Sequence, residues 1–128
     1  MEILHLTQDD VKDINKAIMN RNLDPGDFYN IRDDATLDYI IYRHQNAKTL
    51  EEKAGELLFG IAKNQIFANG NKRTAFEATQ AFLLINGIKL NLSIIFSIDE
   101  LEEIVLKVAT GKMSKAEVVK WIKNALRK

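Results

Sequence analysis

Asn64-Gln65-Ile66-Phe67-Ala68-Asn69-Gly70-Asn71-Lys72-Arg73 separates two strongly periodic stretches, and the fold is read outward from it. Upstream, Leu50, Ala54, Leu57, Leu58 and Ile61 recur at helical spacing; downstream, Ala75, Ala78, Phe82 and Ile85 do the same. The segment is therefore an interhelical loop, and the second helix begins inside it. Gly70 lets the backbone turn sharply and come close to a ligand. The first N–H groups of a helix lack intrahelical partners and form the positive end of its dipole. Lys72 and Arg73 add cations in that first turn, where Asp or Glu would suit the helix better. Cations there make sense if an anion sits in front of them. Spacing alone also fits a plain loop, with Asn69 as N-cap, Gly70 as turn and two solvated cations. The string matches neither the Gly-x-x-x-x-Gly-Lys-Ser/Thr phosphate loop nor a dinucleotide fingerprint.

Further out, helix starts are marked by capping-box spacing at Thr7/Asp10, Thr49/Glu52, Ser97/Glu100 and Ser114/Glu117. Val11, Ile14 and Ile18 give a first helix, and Leu37, Ile40 and Ile41 a second. Ile98, Leu101, Val105 and Val108 mark a fifth, and Val118, Ile122 and Ala125 a sixth. Asn86-Gly87 and Gly111 are left-handed stops. Leu23-Asp24-Pro25-Gly26-Asp27 is a turn, and Lys89-Leu90-Asn91-Leu92 reads as a short extended piece. These signals predict six helices at 8–21, 34–43, 50–65, 70–86, 98–110 and 115–127: an all-α protein, residues 1–128 forming one compact domain.

Apolar residues make up 46% of the 128, enough for a packed core. Without cysteine there is neither a disulfide framework nor a thiolate metal site. No apolar run approaches the roughly 18 residues of a membrane span, and residues 1–10 do not read as a signal peptide. A cytoplasmic protein is the expectation. Net charge is zero but uneven: residues 1–60 carry 7 Lys/Arg against 12 Asp/Glu, and residues 61–128 carry 11 against 6. The basic second half begins near the loop and favours phosphate or an acidic partner. Its lysines are dispersed among acids, without a basic-aromatic stripe or helix-turn-helix signature, which speaks against nucleic acid.

The loop resembles the signature of the Fic/Doc family, His-x-Phe-x-(Asp/Glu/Asn)-Gly-Asn-(Gly/Lys)-Arg. The Lys form followed by Thr-Ala is similar to its death-on-curing (Doc) branch. Leu50 to Ala54 with Leu57-Leu58 resembles the helix leading into the motif, and Phe82 to Gly87 the end of the motif helix. Ala109 to Ser114 and Trp121-Ile122 resemble the last turn and helix; Ile31-Arg32-Asp33 with Leu37 resembles a Doc-type Arg-Asp-x-x-x-Leu segment. The resemblance implies a compact helical fold, with a flap at 43–48 that is very short here. It implies transfer of a phosphoryl or nucleotidyl group from ATP, with Mg²⁺, to a hydroxyl of a target protein. In Doc toxins the target is a threonine of elongation factor Tu. It also implies phosphate binding by Asn69, Gly70, Asn71, Lys72 and Arg73, with Lys72 and Arg73 catalytic through charge neutralisation. Phe67 becomes a core anchor. His44, within the flap segment, and His5 read as surface residues without chemistry. No Ser/Thr-x-x-x-Glu-(Gly/Asn) self-inhibition motif is present, so restraint is expected from a cognate antitoxin in trans.

Two departures matter. Gln65 stands where the family has its general-base histidine, and a carboxamide has no usable pKa near neutrality. It can still orient a nucleophile by hydrogen bonding. Asn69 stands where many members carry a metal-binding Asp or Glu, and as a neutral oxygen donor it holds Mg²⁺ weakly. Gln65 fits a naturally weakened enzyme, an inactivating substitution in a toxic protein, or a non-catalytic module that binds nucleotide or a partner without turnover.

Overall fold

Side chains close the starts of four helices. Thr7 and Asp10 cap each other reciprocally, the Thr7 N–H donating to Asp10 Oδ2 at 2.8 Å and the Asp10 N–H to Thr7 Oγ1 at 3.2 Å. Ser114 and Glu117 form the same box, and Thr49 accepts from the Glu52 N–H. Asp33 supplies a cap that the sequence reading lacked, accepting from the Thr36 N–H at 3.1 Å and the Thr36 hydroxyl at 2.6 Å. Such caps satisfy donors that the helix itself leaves open, each contributing about 1 kcal/mol.

The computed structural model describes residues 2–21, 28–88 and 98–127. The expected turn at 23–27, the extended piece at 89–92 and the Ser97 cap lie outside them. Within them are six helices and no sheet: α1 (Gln8–Arg21), α2 (Asp34–Asn46), α3 (Leu50–Lys63), α4 (Asn71–Ile85), α5 (Ile98–Ala109) and α6 (Lys115–Leu126). Extended pairing among the described residues is limited to one antiparallel bridge, Ile31 with Phe67. No helix among them is long and apolar enough to cross a membrane.

α3 is the axis of the fold, packed by α2, α4, α5 and α6. Its Leu57, Leu58 and Ile61 are fully buried; burying each such side chain contributes about 1.5–3 kcal/mol. Gly60 sets the α2–α3 approach, since a methyl group there would stand 2.8 Å from Ile40 Cγ1. Phe82 and Leu83 of α4 and Leu101 of α5 complete the same apolar cluster.

Residues 43–46, expected in a short flap, form the last turn of α2. His44, expected at the surface, is buried, stacked edge-on between the rings of His5 and Phe82. The reason is a pair of hydrogen bonds. The Leu6 N–H donates to His44 Nε2 at 3.1 Å, so Nδ1 carries the proton and donates to the Lys53 carbonyl at 2.8 Å. The imidazole thereby ties the N-terminal segment to α2 and α3. Arg43 likewise turns to Glu56 and Tyr39.

Burial pushes the His44 imidazole down to about 4. The unfolded chain thus binds its proton first as pH falls, so this stability is present above about pH 6.5 and is lost as pH drops towards 4. Urea unfolding at pH 7 and pH 5 should show a loss of about 2 kcal/mol. Equal stability at the two pH values would contradict the neutral, doubly bonded imidazole.

Candidate functional site

The loop between α3 and α4 is held by three independent devices. First, Ile66 and Phe67 are fully buried and anchor it to the core. Second, residues 30–33 run alongside it: Arg32 and Asp33 N–H groups donate to the Ile66 carbonyl at 2.7 and 3.1 Å, and the Ala68 N–H donates to the Asn30 carbonyl at 2.8 Å. Third, the Asn71 side chain reaches back across the turn. Its Oδ1 accepts from the Phe67 N–H at 2.9 Å, and its Nδ2 donates to the Phe67 carbonyl at 2.8 Å.

Within this frame Gly70, not Asn69, is the N-cap of α4, at φ 78° and ψ 17° with no side-chain cap. Only glycine takes that left-handed conformation without strain. A Cβ at Gly70 would also meet Met19 Cε at 2.7 Å. An uncapped helix start with a glycine at its lip leaves the first N–H groups available to a ligand.

Asn15 supports the turn from below. Buried on α1, it donates through Nδ2 to the Asn69 carbonyl and to Thr74 Oγ1, both at 3.0 Å. Its Oδ1 is buried without a partner among the described residues. Sequence reading missed this residue. The available signal was an Asn among Val11, Ile14 and Ile18, on the face that α1 buries.

Gln65, Asn69, Gly70, Asn71, Lys72 and Arg73 all line one cleft of about 890 Å³. Its other wall is α5, which contributes Asp99, Glu102 and Glu103 beside Val105, Leu106 and Ala109. The expected site residues are therefore gathered in one place, but they do not serve alike. The Asn71 amide is committed to Phe67, so only its backbone N–H is offered to the cleft. Gln65 and Lys72 are exposed at the rim. Arg73 lies over the Phe76 ring, 5.0 Å from its centroid, and pairs with Glu77 and Glu102.

The cleft suits an anion at the α4 start, with an apolar group against Phe76, Val105 and Leu106. It does not suit a protein-held metal. Among the described residues no three His, Cys, Asp or Glu side chains are grouped to ligate an ion. Asn69 brings one neutral oxygen, short of the carboxylates by which proteins usually hold Mg²⁺.

The cleft lies at a helix start with a left-handed glycine, among six helices in the described residues. A sequence profile of the Fic/DOC family matches residues 5–83, and the chain belongs to that family. Within it, the chain is similar to Toxin Doc of Mycolicibacterium smegmatis, with 37% identity over 87 residues, 62% of this chain and 65% of that protein. The aligned part thus spans just under two thirds of the relative's length. The family match ends at residue 83, so the likeness expected at 109–114 and 121–122 lies beyond it, as does α5.

The Asn71 clamp carries a test. Asn71→Ala leaves the Phe67 N–H and carbonyl without their partners, and unfolding free energy should fall by about 1–3 kcal/mol. Unchanged stability in a urea titration would show that the clamp does not hold the loop.

Proposed function

We propose that this chain is a Doc-like toxin that binds ATP at the 69–73 loop and acts on a hydroxyl of a target protein, with transfer impaired by Gln65. The observation that carries the reading is the uncapped α4 start. Gly70, the first-turn N–H groups, Lys72 and Arg73 meet there in one cleft. Backbone donors and cations on a rigid turn are what phosphoryl transfer uses, because its catalysis is mostly positioning and charge neutralisation.

In the proposed reaction the hydroxyl oxygen attacks a phosphorus atom of ATP. Attack at the γ-phosphorus releases ADP; attack at the α-phosphorus releases pyrophosphate and leaves a nucleotidyl group on the target. Either way the hydroxyl proton must leave. Gln65 lines the cleft at the position of the family base, and its carboxamide can orient the hydroxyl but cannot take that proton. Loss of a general base costs roughly 10²–10⁴ in rate. Mg²⁺, on this reading, arrives with the nucleotide's phosphates. A target such as elongation factor Tu and an antitoxin in trans, both implied by the Doc-type resemblance of the sequence, are part of the proposal.

Gln65 also favours a second reading, a module that binds nucleotide or a partner protein without turnover. One experiment separates the two. The Gln65→His variant is incubated with elongation factor Tu, Mg²⁺ and ATP labelled at the α- or γ-phosphorus. The transferase reading expects labelling of a threonine, about 10²–10⁴ faster than with the parent chain. Label retained from γ alone means phosphoryl transfer; label from α means nucleotidyl transfer. ATP binding by both proteins, with no labelling of elongation factor Tu or any lysate protein, favours the module.

A further inference from the structure

Arg73, which the proposed reading assigns to phosphate, already holds two carboxylates. Its Nε donates to Glu77 Oε2 at 2.8 Å, and its Nη1 faces Glu102 Oε1 at 3.4 Å. The two contacts differ in kind. Glu77 lies one turn along the same helix and is shared with Arg21 of α1 at 2.6 Å, so it belongs to the α1–α4 scaffold. Glu102 comes from α5, across the cleft, and its side chain is 52% exposed.

A carboxylate offers a guanidinium the same kind of acceptor as the edge of a phosphate. We infer that Glu102 is an internal competitor for the anion that Arg73 receives, and so sets the affinity of the cleft for phosphate. The inference rests on the reading of the 69–73 loop as a phosphate site. Charge in the cleft agrees with it: Lys63, Lys72 and Arg73 line one wall, and Asp99, Glu102 and Glu103 of α5 line the other. A phosphate seated on the Nη1–Nη2 edge of Arg73 meets the Glu102 carboxylate already at Nη1 and takes that position in competition with it. The carboxylate then turns into solvent, which its exposure allows. Glu77 stays bonded to Nε throughout and keeps the guanidinium in place. Exposed ion pairs are weak, so the exchange lowers affinity without closing the site. Glu102 lies outside residues 5–83, which the family profile matches.

The test is calorimetric titration of inorganic pyrophosphate, at low ionic strength, into the full chain and three variants. Glu102→Gln keeps the shape and removes the competing charge, and should bind about two- to fivefold more tightly. Glu103→Gln removes the same charge from the same wall, but its carboxylate faces Lys107 at 3.4 Å rather than Arg73. It should tighten binding less than twofold on this account. In an Arg73→Gln background the Glu102→Gln gain should vanish. A gain in affinity is a readout that a damaged fold does not produce. Equal affinities of the parent chain and Glu102→Gln overturn the competitor and leave the phosphate site standing. Equal tightening by Glu102→Gln and Glu103→Gln also overturns it, in favour of a general field. Absence of binding in every protein overturns both the competitor and the phosphate site.

Discussion

The pair of hydrogen bonds between the Asn71 side chain and the Phe67 backbone is the constraint on which the site depends. They close the loop on itself, one on the N–H and one on the carbonyl of a residue whose ring is buried in the core. With that closure fixed, Gly70 must turn in the left-handed region, and α4 must start with its dipole aimed into the cleft. Asn15 and the pairing with residues 30–33 brace the same turn from either side. The backbone donors are thus held before any ligand arrives, which is what makes such donors effective at developing charge.

This frame separates two jobs that the motif string runs together. Phe67 and Asn71 build the turn, and Gly70 allows it. Lys72 and Arg73 supply charge and are not needed to hold it. Gln65 belongs to neither group. It sits at the rim, one residue before the buried Ile66, where a side chain could reach a ligand's reacting end. Cradle and chemistry can therefore fail separately: on the proposed reading the turn that would receive phosphate is formed, while the Gln65 carboxamide cannot accept a proton.

Much of the fold was legible in the sequence because its signals are local. Apolar spacing and capping pairs place helix starts without knowledge of tertiary structure, and Thr7/Asp10, Thr49/Glu52 and Ser114/Glu117 all form caps. The loop residues were legible as a motif. What was hidden depends on partners far apart in the chain. His44 looks like a surface residue until Leu6, 38 positions away, donates to it. Asn15 shows its purpose only beneath Asn69, 54 positions on, and Glu102 only opposite Arg73. The family resemblance also gave Asn71 a ligand-facing role, whereas its side-chain amide is bonded to the Phe67 backbone.

The central claim is that the first-turn N–H groups of α4 receive phosphate, and backbone amide shifts report on it directly. Titration of ¹⁵N-labelled protein with ATP should move the amides of Asn71, Lys72 and Arg73 most, in a single saturable phase, with the buried Ile66 and Phe67 following weakly. Saturation with the largest changes elsewhere, or no change at these three amides, would contradict the account.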